Sequence, residues 1–427
     1  MIAALPIWLL LGLLVGLGVW PYQLISELGF ELQRGLWPLT GLQHGAPVGA
    51  LANPVARALL VFTASLATIW LSWGPLAAGR GGGLSPLLAL QRDAQAGQPE
   101  AMLKRLNLPT QLRRLPLIVL THLGGLTVGV ESPSAALGAS LLLAMRGRWP
   151  RLQPLAALPG PLLAAIGGGA GLGAAFRSPL LGVAYGLEEL SREKGLPLVL
   201  PTLLVAGSGA LISTRLGQPA HLEGLQLGPL PAHLWGWALI LTLVGAGLGA
   251  LFVRLLIPLS DLLASHLLKR RLPVAVGIAL ALTLLAILSN GLSLNDGSLS
   301  LEAVLQGRAG GSVWTVLWRF LAGLLSIAAG APGGLMHDAM SLGGLLVTPL
   351  GDLPQQEQAQ LAAIGATALF AAANGTPIFC GLFVFTLQGD PLLLPVLCLV
   401  SAVSAALAAS WRGPTWNEAQ LERLIQQ

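Results

Sequence analysis

Two kinds of residue in this chain could do chemistry away from water: a carboxylate in an apolar setting, and glycine-rich backbone that opens an apolar run. Residues 124–133 read GGLTVGVESP, so Glu131 lies between two apolar stretches and two residues before Pro133. Proline favours the first turn of a helix, which puts Glu131 at or just before a helix N-terminus. An ionisable group inside a membrane is costly and reads as functional. The N–H groups of a helix start attract an anion, and Glu131 can supply that anion itself. Once protonated, it would release the seat to a diffusible anion, acting as gate and proton carrier together. The bland alternative is a carboxylate that caps its own helix or pairs with Arg114.

Two further glycine-rich turns open apolar runs: GRGGGLSP at 79–86 and GAPGGLMHD at 330–338. Glycine lets backbone N–H groups come close to a ligand. A site built from such dipoles holds a dehydrated anion without the full positive charges that would trap it. A second pair of carboxylates, Glu188 and Glu189, ends another apolar segment. A partly desolvated carboxylate there can shuttle protons; the plain alternative is a solvated helix end beside Arg192, Glu193 and Lys194.

The elements that position these residues must lie in a membrane. Of 427 residues, 54% are hydrophobic and only 10% charged, with a mean hydropathy of +0.75. Soluble chains carry about 25% charged residues. No Asp, Glu, Lys or Arg occurs in 1–26, 58–79, 152–176, 195–214, 224–253, 272–295, 358–389 or 391–411. Each window is about as long as a bilayer-crossing helix, roughly 20 residues. The net charge of +5 includes no basic run, so it fits Arg and Lys at membrane edges and predicts no nucleic-acid partner. The first 20 residues read as a retained helix, since the first basic residue is Arg34 and a signal peptide needs a basic start.

Cys380 and Cys398 sit in apolar stretches and indicate neither a disulfide framework nor a zinc site. The six histidines, at 44, 122, 221, 233, 266 and 337, show no ligand spacing. No metal or cofactor is expected. HExxH and GxSxG are also missing, which argues against a membrane-embedded enzyme.

The chain repeats itself. Residues 163–179 and 361–377 are identical at nine of seventeen positions, at an offset of 198. The stretches beginning at Gly129 and Gly334 match more weakly, in the same order, at an offset of 205. Two homologous halves follow, 1–220 and 221–427, joined near 215–232. Shorter apolar windows at 79–90, 115–130, 132–145, 178–187, 320–337 and 339–351 are broken by Gly and Pro. Such pieces at matching places in two halves point to a midplane binding site in a transporter. Their ends cannot face lipid, so they must line an enclosed cavity. Residues 91–114 form the most polar connector, and 412–427 read as a short polar helix with no cytoplasmic regulatory domain after it.

At this point the motifs resemble a known family. GVESP, 129–133, looks like the G-[KR]-E-G-P motif of the CLC chloride channels and proton-coupled anion antiporters. GAPGGLMHD resembles its GAPGGIFAP. GLGAAFRSPLLGVAYGLEEL, 171–190, resembles its GLAAAFNAPLAGILFxxEE, and PTWNEAQLERL, 414–424, its terminal P-x-Y-x-x-L helix. The resemblance implies an all-α polytopic membrane protein with two inverted, structurally related halves and broken helices. It implies a homodimer embedded in membrane lipid, each subunit with its own pore. It makes Glu131 the outer gate and proton site and Glu189 the inner proton relay. Gly82, Gly83, Ser85, Gly129, Val130, Glu131, Leu335 and Met336 would line the anion path, with Trp416 as an inner constriction. Arg114 and Arg319 resemble basic positions that raise the pore's positive potential, or else snorkel.

Three departures stand out. The family's serine turn, G-S-G-I-P, is GGGLS here; its serine falls on Gly82, or on Gly83 in the other register, with Ser85 as a hydroxyl that could turn inward. Trp416 stands where the family has Tyr, and its indole N–H remains a donor. His337 and Asp338 replace a small residue and Pro; Asp338 is expected to cap its helix start. The expectation is chloride/proton antiport in a bacterial plasma membrane. The alternatives are a passive chloride channel of the same fold and a fluoride/proton antiporter.

Overall fold

A computed structural model describes residues 4–37, 53–93, 105–217, 226–307, 312–351 and 353–425. The connector 91–114 and the join 215–232 fall partly outside these. Among the described residues the regular elements are all helices, with one isolated antiparallel bridge, Gly129 with Gly334.

Among the described residues, six helices are long and apolar enough to cross a membrane. They are α1 (Leu5–Leu36), α2 (Pro54–Ser72), α8 (Leu196–Arg215), α9 (Trp235–Lys269, entered through a 3-10 turn Ala232–Leu234), α10 (Arg271–Leu288) and α16 (Leu394–Arg412). Their outer faces carry exposed leucines such as Leu10, Leu239, Leu268 and Leu284. Water would not tolerate so much contiguous apolar surface, whereas lipid does. The protein is therefore an integral, multi-pass membrane protein.

The remaining α-helices are shorter or less apolar. They are α3 (Ser85–Asp93), α4 (Leu108–Gly124), α5 (Glu131–Arg148), α6 (Gly160–Ala175), α7 (Pro179–Tyr185), α11 (Ser298–Leu305), α12 (Val313–Ala328), α13 (Met336–Gly344), α14 (Gln355–Asn374), α15 (Pro377–Gln388) and α17 (Trp416–Ile425).

Two of the charge-free windows are not single spans. Window 152–176 holds a 3-10 turn and then the 16-residue α6, which Pro159 starts. Window 358–389 is cut where Gly375 (φ 78°) ends α14 and Pro377 opens α15. Absence of charge there goes with burial inside the protein rather than with contact with lipid.

The core is built on α6 and α14. Every residue from 162 to 175 and from 358 to 374 is buried. Their Gly/Ala composition is what permits this, because small residues let helix backbones meet. Gly138 of α5 abuts Gly167 and Gly171 of α6, and Gly343 of α13 abuts Gly365 of α14. Gly138 and Gly343 differ by 205, and Gly167 and Gly365 by 198, the offsets of the two sequence matches. Matched segments thus pack on each other in the same way.

Candidate functional site

Three glycine turns converge where helices stop short. α4 ends at Gly125 (φ 68°), whose N–H closes on Thr121 O, and the chain turns into α5 at Glu131. α12 ends before Gly330 (φ 80°), and α13 starts at Met336. The two turns are stitched by Gly129 N–H to Gly334 O (3.1 Å) and Gly334 N–H to Gly129 O (3.0 Å). The turn before α3 joins them through Gly81 N–H to Gly330 O (3.4 Å). Trp73 Nε1 donates to Ala329 O at 2.7 Å, and Arg80 lies over the Trp73 ring at 3.9 Å.

Glu131 is the first residue of α5 and is fully buried. It neither caps its own helix nor reaches Arg114. Its Oε1 instead accepts the backbone N–H of His337 at 2.9 Å and touches His337 Nδ1. The first N–H groups of a helix have no intrahelical partner and carry its positive end. The Glu131 carboxylate therefore occupies an anion seat at the start of α13. The His337 ring is held between Phe176 (centroids 5.3 Å apart) and Phe383 (5.4 Å).

Below this seat lies a cavity of about 10 Å³, lined by Gly82, Ser132, Gly334, Leu335, Met336 and Trp416, with Asn374, Asn417 and Gln420 at its edge. Such a volume holds about one water-sized particle. Wider mouths open on either side. One, of about 330 Å³, is lined by Val130, Phe176 and His337, with Glu27, Asp296 and Glu302 facing Arg34. The other, of about 700 Å³, carries Arg80, Arg105, Arg113, Arg114 and Arg423 against Asp261.

The expected anion-path residues divide. Gly82, Leu335, Met336 and Trp416 line the small cavity; Val130 lines the acidic mouth. Gly83 (φ 81°) lines the basic mouth, where a Cβ would meet the Arg114 guanidinium within 2.5–2.7 Å, so only glycine fits. One expectation needs correction. Gly129 is not a donor to the path, because its N–H is committed to Gly334. Ser85 lines the basic mouth, and its hydroxyl donates to Gln420 Oε1 at 3.0 Å.

Asp338 is also corrected. The N-cap of α13 is Leu335, with no side-chain cap bond. Asp338 Oδ1 pairs with Arg319 Nη2 at 2.8 Å, both side chains being fully buried. Arg319 further donates to Leu292 O (3.0 Å), Leu294 O (3.2 Å) and Asn295 O (3.1 Å). Neither Arg319 nor Arg114 snorkels: both are buried, and Arg114 donates to Gly79 O (3.2 Å) and to Gln111.

Glu188 and Glu189 separate in role. They lie on a wide π turn, Gly186–Leu190, that extends α7. The Glu188 carboxylate accepts Ile378 N–H (3.0 Å) and Phe379 N–H (2.6 Å), capping α15. Glu189 turns instead to Asn417, whose Nδ2 donates to its Oε1 at 2.8 Å. Asn417 and Trp416 are set by a capping box at the start of α17. Thr415 N–H bonds Glu418 Oε2 (2.7 Å) and Glu418 N–H bonds Thr415 Oγ1 (3.2 Å). Glu189 is thus one residue's reach from the cavity edge, and Glu131 lies at the other side.

Sequence reasoning missed Ser132. A Cβ on Gly82 would lie 2.6 Å from Ser132 Cβ and 3.2 Å from its Oγ. The hydroxyl missing from the first turn therefore has a neighbour on the second. The available signal was that serine, not glycine, follows Glu131.

A family model for voltage gated chloride channels matches residues 64–409. The H(+)/Cl(-) exchange transporter ClcA of Yersinia pestis is 27% identical over 268 residues, covering 59% of this chain and 55% of that protein. The chain thus spans about half the length of the curated relatives it matches. Two solved structures superpose over nearly the whole chain. A CLC-type fluoride/proton antiporter has a TM-score of 0.74 at 21% identity, covering 98% of both chains. A slow cyanobacterial Cl-/H+ antiporter has a TM-score of 0.73 at 23% identity, covering 99% of this chain and 98% of that one. These likenesses show a shared fold with broken helices.

Proposed function

The chain belongs to the voltage gated chloride channel family, and we propose that it exchanges a small anion, chloride by default, for protons. The seating of the Glu131 carboxylate on the N–H of His337 carries this reading. A carboxylate bound where an anion belongs must leave before an anion can take its place. Protonation cancels the charge that holds it there. The anion then enters along the N–H groups of Leu335 and Met336, beside Ser132, with Trp416 narrowing the far side. Glu189 passes the proton at the other end. A residue that competes with the anion and carries the proton couples the two flows.

The mouths suggest a direction. Cytoplasmic edges of membrane proteins carry an excess of Arg and Lys, so the mouth with Arg80, Arg105, Arg113 and Arg423 faces the cytoplasm. Glu131 is then the outer gate and Glu189 the inner relay. The matched packing of Gly138 and Gly343 supports two related halves, 1–220 and 221–427; we take them as inverted in the bilayer of a bacterial plasma membrane. Exposed Leu196, Leu211, Leu392 and Leu399 provide apolar surface for a second copy.

Fluoride remains a specific second reading, because Gly82 offers no hydroxyl and a structural neighbour is a fluoride/proton antiporter. The test is purified protein in chloride-loaded liposomes, with chloride and pH recorded together. Proton uptake locked to chloride efflux, and lost in Glu131→Gln and Glu189→Gln, is expected. Chloride efflux without protons would make the protein a channel. Fluoride efflux with chloride immobile would move the assignment to the second reading.

A further inference from the structure

We propose that His337 is the outer proton relay, handing protons from the acidic mouth to Glu131. The inference rests on Glu131 being the gate. It concerns a side chain for which the anion path has no use, since only the backbone N–H of His337 serves the seat.

Three observations carry it. The His337 Nδ1 touches the same Glu131 oxygen that the backbone N–H holds. Its ring also lines the 330 Å³ mouth, so one side chain reaches both the gate and the water-accessible space. Finally, Phe176 and Phe383 pack on the ring. Apolar rings thus flank an imidazole that touches Glu131 and also lines the mouth.

The surroundings favour a cation in transit. Glu27 from α1, Asp296 from the turn before α11 and Glu302 from α11 line the mouth, with Arg34 the basic residue among them. Arg319 from α12 lies on the far side, already paired with Asp338 of the same helix as His337. α5 contributes Glu131 itself. α4 contributes the buried His122, whose Nδ1 bonds Ile118 O at 2.9 Å. The residue after α6 contributes the Phe176 ring, and α15 the Phe383 ring. Carboxylates at a mouth concentrate protons, and a channel for anions alone would have no use for them.

The step moves one proton. The imidazolium Nδ1–H bond breaks and a Glu131 Oε1–H bond forms, turning an ion pair into two neutral groups. Attraction between the partners falls, and the neutral Glu131 leaves the α13 seat to an anion. Nδ1, uncovered by that departure, takes its next proton from water in the mouth. Histidine suits the task because its ordinary pKa lies near neutrality.

The test uses the full-length protein in liposomes, as wild type, His337→Ala and His337→Gln, with anion and proton fluxes followed across pH. Both variants should fold, since the backbone N–H to Glu131 is retained; His337→Ala, which empties the space between Phe176 and Phe383, should be the less thermally stable. Proton-coupled flux near neutral pH should fall at least about tenfold, in line with lost proton-transfer catalysis. Imidazole added to the bath should restore it in His337→Ala and do nothing to wild type. Unchanged pH profiles would overturn the proposal. So would a loss of flux that imidazole does not repair, which assigns His337 a packing role. If wild type moves anions without protons, the exchange reading fails while the relay is still tested. Glu131 must take a proton to open in either case, so the pH dependence of anion flux and its imidazole rescue remain the readout.

Discussion

Ser132 occupies the room that any side chain at Gly82 would need: a Cβ added there would lie 2.6 Å from Ser132 Cβ. The two positions face each other across the cavity that Trp416 closes. A hydroxyl can therefore stand on one turn or on the other, but not on both.

Gly82→Ser alone should lose anion binding through this clash, and the double variant Gly82→Ser/Ser132→Gly should recover it. Ser132→Ala should weaken binding by about 0.5–1.5 kcal/mol, the worth of one hydrogen bond. Calorimetric titration with chloride reads all three. Equal affinity in Ser132→Ala and wild type would remove Ser132 from the anion path.

Breaking the Arg319–Asp338 pair should be costly, because it leaves a charge alone in the interior. Asp338→Ala is expected to lower stability by about 3–5 kcal/mol, whereas Arg319→Met with Asp338→Leu should recover much of this. Thermal unfolding in detergent measures it. The paired variant should still show altered transport, since Arg319 also holds the carbonyls of Leu292, Leu294 and Asn295 behind Asp296.

Acid should open the gate. Release of Glu131 needs a proton, so wild-type anion flux should rise as pH falls. Glu131→Gln, neutral at every pH, should flatten that dependence and abolish proton movement. Flux recorded across pH for both proteins checks this. A wild-type flux that falls in acid would reverse the sign and contradict the gate.

Tyr185 is fully buried, and its hydroxyl has no hydrogen-bond partner among the described residues. Its ring packs on Phe379 at 4.5 Å between centroids. Tyr185→Phe keeps the ring and removes an unsatisfied polar group, so stability should hold or rise by about 1 kcal/mol. A clear loss in thermal unfolding would mean that the hydroxyl holds a water in the functioning protein.

Much of this was legible in the residues. Glu131 declared itself by charge in an apolar setting, and the glycine turns by composition. The repeat was visible as matched segments, but only the structure shows that Gly138 and Gly343 each pack on a glycine of the next buried helix. What stayed hidden depends on direction in space. Asp338 looks like a helix cap by position, but Arg319, one helix earlier, points at it across the turn. Ser132 and Gly82 lie fifty residues apart, and nothing in either motif says that they compete for one volume. Glu188 and Glu189 are indistinguishable in type; only the π turn sends one to the N–H groups of α15 and the other to Asn417. Windows 152–176 and 358–389 passed for spans because a buried Gly/Ala helix and a lipid-facing one both lack charge.

The central claim is that anion and proton share one obligatory cycle. The most direct measurement is the reversal potential of the current in a planar bilayer, with chloride and pH gradients varied independently. Exchange predicts that a pH gradient alone shifts the reversal potential in wild type and not in Glu131→Gln. A wild-type reversal potential that follows the chloride gradient and ignores pH would contradict the account.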